Sequence, residues 1–294
     1  MNKKLLLLLL FSVLFVSCTE NNRTSGYIPG FNINDSISQK LKCAEVNFAI
    51  PSPNQLLMLF KECNIPFNEH YVIIPDKISK KASITANKAI ALGMLGTDLG
   101  YLNLFDQKDL AARHIHEIRD LMNELKIEKT IDKSLMKRIE SNFGKNDSVY
   151  YYLSLIFRNN DQYLKDNDRR DVCSLIVAGG WLESFYFLTQ AYASTKNEEI
   201  FKLIVSQGDI LDNVIHQLAP FYEKSIEFAN LIDGLVNMAY EYDVIDKVAS
   251  QPSIRTDSIK RITYIDNHNR NILTGSRLEH IVQYANELRN KYVM

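Results

Sequence analysis

Sequence motifs of catalysis are missing from this 294-residue chain. No serine stands in a nucleophile elbow, and no His-Glu-x-x-His pattern is present, so neither of these hydrolase motifs applies. Gly93, Gly96 and Gly100 lie within an apolar run and follow no strand, whereas phosphate-binding and dinucleotide-binding loops require one before their glycines. The sequence therefore contains no motif that assigns a reaction.

Histidine and cysteine are also scarce, and their spacing does not suggest a metal site. His114 and His116 are two residues apart, so on a helix their side chains point about 200° apart and cannot bind one ion. We expect both at the surface. The other histidines are scattered along the chain. We therefore predict no metal site and no cofactor.

The charge is close to balanced, and long apolar runs are absent beyond the N-terminus. Without residues 1–17, which contain two lysines and no acids, the chain has 32 basic and 35 acidic residues, a net charge of −3. This balance leaves no electrostatic footprint for a nucleic-acid partner. The most apolar later segment, 172–193, is interrupted by polar side chains and one glutamate, so we expect no transmembrane helix there.

The first 18 residues have the pattern of an export signal. Lys3 and Lys4 precede an apolar run over 5–16, which is too short to span a bilayer, and Ser17 and Cys18 follow. The sequence from Phe15 to Cys18 resembles a bacterial lipobox, although the usual pattern has leucine where Phe15 stands. The resemblance implies cleavage before Cys18 and a lipid, such as palmitate, on that cysteine. The alternative is an ordinary signal peptide of residues 1–17 followed by an unrelated cysteine.

The segment after the signal predicts a tether and then a folded domain. Residues 19–26 are polar and have little apolar surface to bury, so residues 18–50 are interpreted as the lipid attachment site and a tether. Thr19 follows Cys18 in place of the aspartate that retains some lipoproteins at the inner membrane, which favours the outer membrane. Ser52 and Pro53 are typical of a helix start. We predict a single helical domain over 51–294.

Cys43, Cys63 and Cys173 remain after Cys18. An exported compartment permits a Cys43–Cys63 disulfide. The odd number of remaining cysteines and the apolar surroundings of Cys173 favour buried free thiols instead. The sequence leaves both possibilities open.

Hydrophobic periodicity predicts an all-α fold. The segments at about 86–105 and 169–193 are apolar nearly all round, which is typical of buried helices. Ala89, Gly93, Gly96 and Gly100 share one face of the first, so another backbone can approach it closely. Strand signals are limited to 71–74 and 262–265, which predict extended loops or one small ribbon. Further helices are predicted at 110–125, 133–143, 149–164, 198–205, 210–218, 221–240 and 277–292.

We expect these helices to form antiparallel hairpins, packed as a multi-helix bundle around the two buried helices. The stretches 99–112 and 188–201 resemble degenerate tetratricopeptide hairpins, but they lack the regular 34-residue spacing of that repeat. Hairpins without repeat ancestry are the favoured interpretation.

Three blocks carry a second resemblance: 50–53, 89–101 and 178–183. Together with the lipobox they are similar to the motifs of a family of uncharacterised helical lipoproteins of Bacteroidetes-type bacteria. The resemblance implies a helical fold and a location in the cell envelope. It implies no activity.

Asp98 is the single acid of 86–105, and Glu183 is the single acid of the apolar run 172–193. A buried carboxylate must be paired, hydrogen-bonded or protonated, because desolvating it alone is too costly. The favoured interpretation is a structural pairing, for which Arg113, Arg169 and Arg170 are candidate partners. The alternative makes Asp98 and Glu183 a general acid–base pair in a cleft, as in glycoside hydrolysis, with Tyr101 and Trp181 as a sugar platform.

Two classes of function follow from the sequence. The first is a non-enzymatic, lipid-anchored binding or scaffold domain of the cell envelope, with an envelope protein or a glycan as its partner. The second is an envelope hydrolase that uses Asp98 and Glu183. An open cleft with both acids exposed would favour the enzyme, and acids buried against arginine would favour the scaffold.

Overall fold

Helices dominate the described part of the chain. The computed structural model describes residues 59–81, 84–127, 133–243, 246–249, 253–257, 262–266, 269–272 and 275–293. All of these residues belong to one unit, spanning 37–294. The α-helices with both ends inside the described residues are α1 (Pro75–Lys81), α2 (Thr85–Leu104), α3 (Lys108–Glu124), α4 (Lys133–Asn142), α5 (Asn146–Asp166), α6 (Arg170–Thr195), α7 (Glu198–Leu218), α8 (Ile226–Asp243) and α9 (Gly275–Val293).

The helices α2 and α6 form the centre of the domain. Every residue of α2 from Ala89 to Leu104 is buried, and so is every residue of α6 from Val172 to Phe185. Their sequences are apolar on all sides because other helices cover them on all sides. The two buried helices predicted from the sequence are therefore confirmed, and so is the all-α fold class.

Glycines allow the backbones of α2 and α6 to touch. A Cβ atom on Gly93 would lie 2.0 Å from the carbonyl oxygen of Ile176, and one on Gly179 would lie 2.1 Å from that of Ile90. The Thr97 hydroxyl donates across the same contact to the Gly180 carbonyl, at 3.1 Å. The close helix packing predicted from the small residues of α2 is confirmed at Gly93.

The other helices pack around this pair as hairpins. α3 follows α2 after three residues and packs on it, and α7 follows α6 after two residues and packs on it. The pairs α4–α5 and α8–α9 also pack together, and α5 and α9 both contact α6. Short connections of this kind force neighbouring helices to run antiparallel.

Several of these helices end in a left-handed residue other than glycine. Asp106, Lys126 and Asp168 have φ of 54°, 57° and 55°. After α2, Asp106 donates to the Asn103 carbonyl and Gln107 donates to the Leu102 carbonyl, which is the Schellman pattern. The same pair of bonds follows α3 and α5. These endings stop each helix sharply and reverse the chain.

A β-ribbon joins α8 to α9. Strand β1 (Asp246–Ala249) pairs antiparallel with β4 (Asn269–Ile272), and β2 (Ser253–Asp257) pairs antiparallel with β3 (Ile262–Asp266). Residues 250–252 separate β1 from β2, whereas only 267–268 separate β3 from β4, so the register shifts by one residue between the two pairs. Of the two possibilities left open for 262–265, an extended loop or a ribbon, the structure has the ribbon, with β2 as the partner strand. At 71–74 no strand is present; a 3₁₀-helix, Glu69–Tyr71, leads into extended backbone.

Two predicted helix boundaries were wrong. The segments 198–205 and 210–218 form one helix, α7, because Gly208 is accommodated inside it under the Tyr242 ring. The helix expected to begin at 221 begins at Ile226, after a 3₁₀-helix over Ala219–Lys224 that has proline in its first turn. The predicted start at Ser52 and Pro53, and the tether before it, lie outside the described residues.

One described helix, α6, is long and apolar enough to cross a membrane, but most of it is buried inside the domain. Its composition reflects its place in the core, as expected for 172–193. Cys63 is a free thiol, so it does not form a disulfide with Cys43, which lies outside the described residues. Cys173 is disulfide-bonded, so the expectation of a free thiol at that position is wrong.

Candidate functional site: a buried charge cluster

The contact between α2 and α6 brings together the two acids that stand out in the sequence. Asp98 lies five residues after Gly93 on α2, and Glu183 lies four residues after Gly179 on α6. Both side chains are completely buried, with 0% exposure. The Asp98 carboxyl raises the pKa of Glu183, which places the two acids close together. The close approach of α2 and α6 that the glycines allow therefore brings the two acids together in the core.

Arg289 of α9 neutralises Glu183. Its Nε atom lies 3.0 Å from Oε1 and 2.8 Å from Oε2 of Glu183, and its Nη2 atom lies 2.6 Å from Oε1. The guanidinium also stacks over the Tyr186 ring, 3.9 Å from the ring centroid. Burial lowers the pKa of Arg289, but the Glu183 carboxylate more than offsets this and the net shift is upward. The guanidinium is therefore a fixed positive charge.

His114 of α3 approaches Asp98 from the opposite side. Its Nδ1 atom lies 2.9 Å from the Leu110 carbonyl oxygen, which only accepts hydrogen bonds, so Nδ1 carries a hydrogen. Its Nε2 atom lies 3.3 Å from Oδ2 of Asp98. The same Oδ2 accepts a 2.8 Å hydrogen bond from the backbone N–H of Ile73. Asp98, His114, Glu183 and Arg289 together are called the charge cluster below.

Burial dominates the titration of Glu183. The pKa of Glu183 is raised to about 8: complete burial is the main cause, Arg289 opposes it, and the Asp98 carboxyl adds to it. Oδ1 of Asp98 has no hydrogen-bond partner in the described residues, so this buried oxygen is left unsatisfied.

The charge cluster holds an irregular segment of backbone, residues 68–73, here called the strap. Arg289 Nη2 donates to the Tyr71 carbonyl at 2.9 Å, in addition to the bond from Ile73 N–H to Asp98. The Tyr101 hydroxyl accepts a third bond, 2.9 Å long, from the backbone N–H of Asn68. Buried side chains thus replace the backbone partners that a helix or sheet would supply.

The two aromatic residues considered as a sugar platform are both inside the core. Tyr101 is 0% exposed and stacks on Phe187, with ring centroids 4.5 Å apart. Trp181 is 3% exposed, stacks on Phe185, and donates from Nε1 to Oε1 of Gln207 at 3.1 Å. Neither ring presents a face to a ligand. In this structure both are packing residues with one satisfied polar atom each.

The structure corrects two expectations about charged residues. The partner of the buried acids is Arg289, whereas Arg113 and Arg170 are exposed and Arg169 donates to the Leu125 carbonyl. His114, expected at the surface, is 1% exposed. The sequence did contain the signal for His114, because it shares the buried face of α3 with Ala111, Ile115, Ile118 and Met122 at helical spacing.

A small cavity lies away from the charge cluster. Its volume is about 20 Å³, close to that of a single water molecule. Gly96 and Leu99 of α2 line it together with side chains of α3, α4, α5 and α6, which are apolar except for Asn160. Among the described residues, no three His, Cys, Asp or Glu side chains are grouped so that they would hold a metal ion.

Comparison with known proteins does not add to this picture. No family model matches the chain, and no similarity is found to curated proteins or to solved structures.

Proposed function

We propose that the chain is a lipid-anchored protein of the bacterial cell envelope whose helical domain acts as a non-enzymatic binding or scaffold domain. The observation that carries the proposal is the complete burial of Asp98 and Glu183. Arg289, His114 and the strap contact these carboxyl groups, and in the part of the chain that the structure describes neither acid is open to a substrate. This geometry supports a structural role for the two acids.

The location rests on the sequence of the first 18 residues. The lipobox-like residues 15–18 favour a lipid on Cys18, and the polar residues after it favour a tether between the membrane and the domain. Thr19 after the cysteine favours the outer membrane. The partner within the envelope is a protein or a glycan, and the charge balance disfavours nucleic acid.

A fractionation experiment tests the anchor. In cells expressing the full chain with Cys18→Ser, we expect loss of palmitate labelling, with the protein either released from the membrane fraction or left as an uncleaved precursor. Cys63→Ser is the matched control, since Cys63 lies in the domain, and it should label and fractionate like the wild type. Equal labelling of the Cys18→Ser variant and the wild type would contradict the proposal. Sedimentation of the wild-type protein with inner-membrane markers would contradict a location in the outer membrane.

A second experiment tests the non-enzymatic role. The full chain is incubated with purified cell-wall glycan, and newly formed reducing ends are measured for the wild type, Asp98→Asn and Asp109→Asn. Asp109 is an exposed acid in the first turn of α3 and serves as the control. We expect the same background signal from all three proteins. Release by the wild type and Asp109→Asn, but not by a folded Asp98→Asn, would favour the hydrolase instead.

A further inference from the structure

The number of protons in the charge cluster decides whether it is electrically neutral. Arg289 contributes one positive charge, and the two carboxylates contribute two negative charges. With His114 protonated on Nδ1 alone, one additional proton is needed for neutrality. That proton has three sites open to it: Nε2 of His114, Asp98 and Glu183. Wherever it sits, the cluster with it is neutral, and the cluster without it has a buried net charge of −1.

The neighbouring titratable groups do not change the number of protons that the charge cluster needs for neutrality. The titratable side chains that face the charge cluster from outside are Tyr186 on α6, Tyr101 on α2 and Tyr71 in the strap. Burial raises the pKa of Tyr186 and of Tyr101 above the ordinary tyrosine value, so both hydroxyls remain neutral. On α1, which also packs against α9, Asp76 and Lys77 are exposed.

Two of the three hydrogen bonds that fasten the strap come directly from the charge cluster. Ile73 N–H binds Asp98, and the Tyr71 carbonyl binds Arg289. When the extra proton is lost, two buried carboxylates repel each other beside one guanidinium. Opening the strap admits water to that charge. The protonation state and the closure of the strap must therefore be linked.

We propose that the charge cluster is a proton-operated clasp, which holds the strap closed through Asp98 and Arg289 while the cluster retains its one extra proton and loosens the strap when that proton is lost. The device therefore regulates how firmly residues 68–73 are held to the core. This inference depends on the buried contacts alone and stands apart from the proposed envelope location.

The direction of the pH dependence follows from the raised pKa of Glu183. In the closed state Glu183 keeps its proton up to about pH 8, whereas a water-exposed glutamate loses it near 4.5. Water that enters when the strap opens lowers the pKa of Glu183 toward the exposed value, so opening releases protons and the opening constant rises with pH until it levels off above about pH 8. Closure is therefore strongest at low pH within this window and weakens as pH rises.

Amide hydrogen exchange on the full chain, read by mass spectrometry between pH 5 and 9, measures the opening constant after correction for intrinsic exchange. We expect peptides covering 68–73 to lose protection as pH rises to about 8, by at most about tenfold per pH unit, while peptides of α7 provide the internal reference. Asp98→Asn removes one of the two carboxylates, so the cluster is neutral without the extra proton and its strap should remain closed with no such slope. The exposed-site control Asp109→Asn should keep the wild-type slope.

A strap whose protection in the wild type follows that of α7 at every pH would overturn the proposal. So would an Asp98→Asn protein with an unchanged slope. If Asp98→Asn does not fold, Glu183→Gln serves the same purpose, because it also leaves a neutral cluster without a titrating carboxyl pair. If neither variant folds, the pH dependence of hydrogen exchange in the strap of the wild type, compared with that of α7, decides whether the proposal stands.

Discussion

The contact between α2 and α6 makes a sharp prediction for Gly93→Ala. The added methyl carbon would lie 2.0 Å from the Ile176 carbonyl oxygen, 2.7 Å from the Gly180 nitrogen and 2.9 Å from the Ile176 carbonyl carbon. Contacts of Cβ atoms shorter than 3.0 Å are essentially never observed. All three obstructing atoms belong to the backbone of α6, so no side-chain rotation relieves the clash. The two helices must move apart by roughly 1 Å at this point.

This separation has a cost that outweighs the helix propensity of alanine. A gap of 0.5–1 Å forfeits roughly a quarter to a half of each dispersion contact along the interface, and overpacking of a core costs about 1–3 kcal/mol or more. Alanine in place of glycine returns about 1 kcal/mol of helix propensity. Because backbone atoms are involved, the cost lies at the upper end of that range. We expect a net loss of about 2 kcal/mol or more.

Urea unfolding of the full chain, followed by circular dichroism, gives the midpoint and the slope of the transition. Gly275→Ala is the matched control, since nothing lies within 4 Å of the methyl position at the start of α9. It should be neutral or slightly stabilising. Gly179→Ala meets the Ile90 carbonyl oxygen at 2.1 Å, so its loss should match that of Gly93→Ala. An unchanged or raised midpoint for Gly93→Ala would refute the close backbone contact.

Two further substitutions test the buried polar groups. Arg289→Met leaves the buried carboxyl pair without its cation and should lower the free energy of urea unfolding by about 3–5 kcal/mol. The control, Arg277→Met at the ion pair with Glu241, should cost about 1 kcal/mol or less. Similar losses for the two variants would contradict the role of Arg289 as the cation of the charge cluster. Trp181→Phe removes the donor to Gln207 and should cost about 1–3 kcal/mol by thermal unfolding, and adding Gln207→Leu should recover part of it. No recovery would argue against that bond.

Hydrophobic periodicity alone is enough to indicate which helices are buried. A segment without a polar face has no side to turn toward water, so 86–105 and 169–193 had to lie inside, whatever the rest of the chain did. Small residues at helical spacing also indicated where a second backbone approaches, and Gly93 lies at that contact. These are local properties of the chain, which periodicity reports directly.

The sequence also showed that Asp98 and Glu183 needed partners, because an isolated buried carboxylate is too costly. Which partners they have is a property of the tertiary structure. Arg289 lies 106 residues after Glu183, on the buried face of α9 with Ile281 and Ala285 at helical spacing. Periodicity therefore indicates that it faces the core, but not which acid it meets there. Charges attract through space, so only the packing of α9 and α3 against the central pair decided which side chains complete the charge cluster.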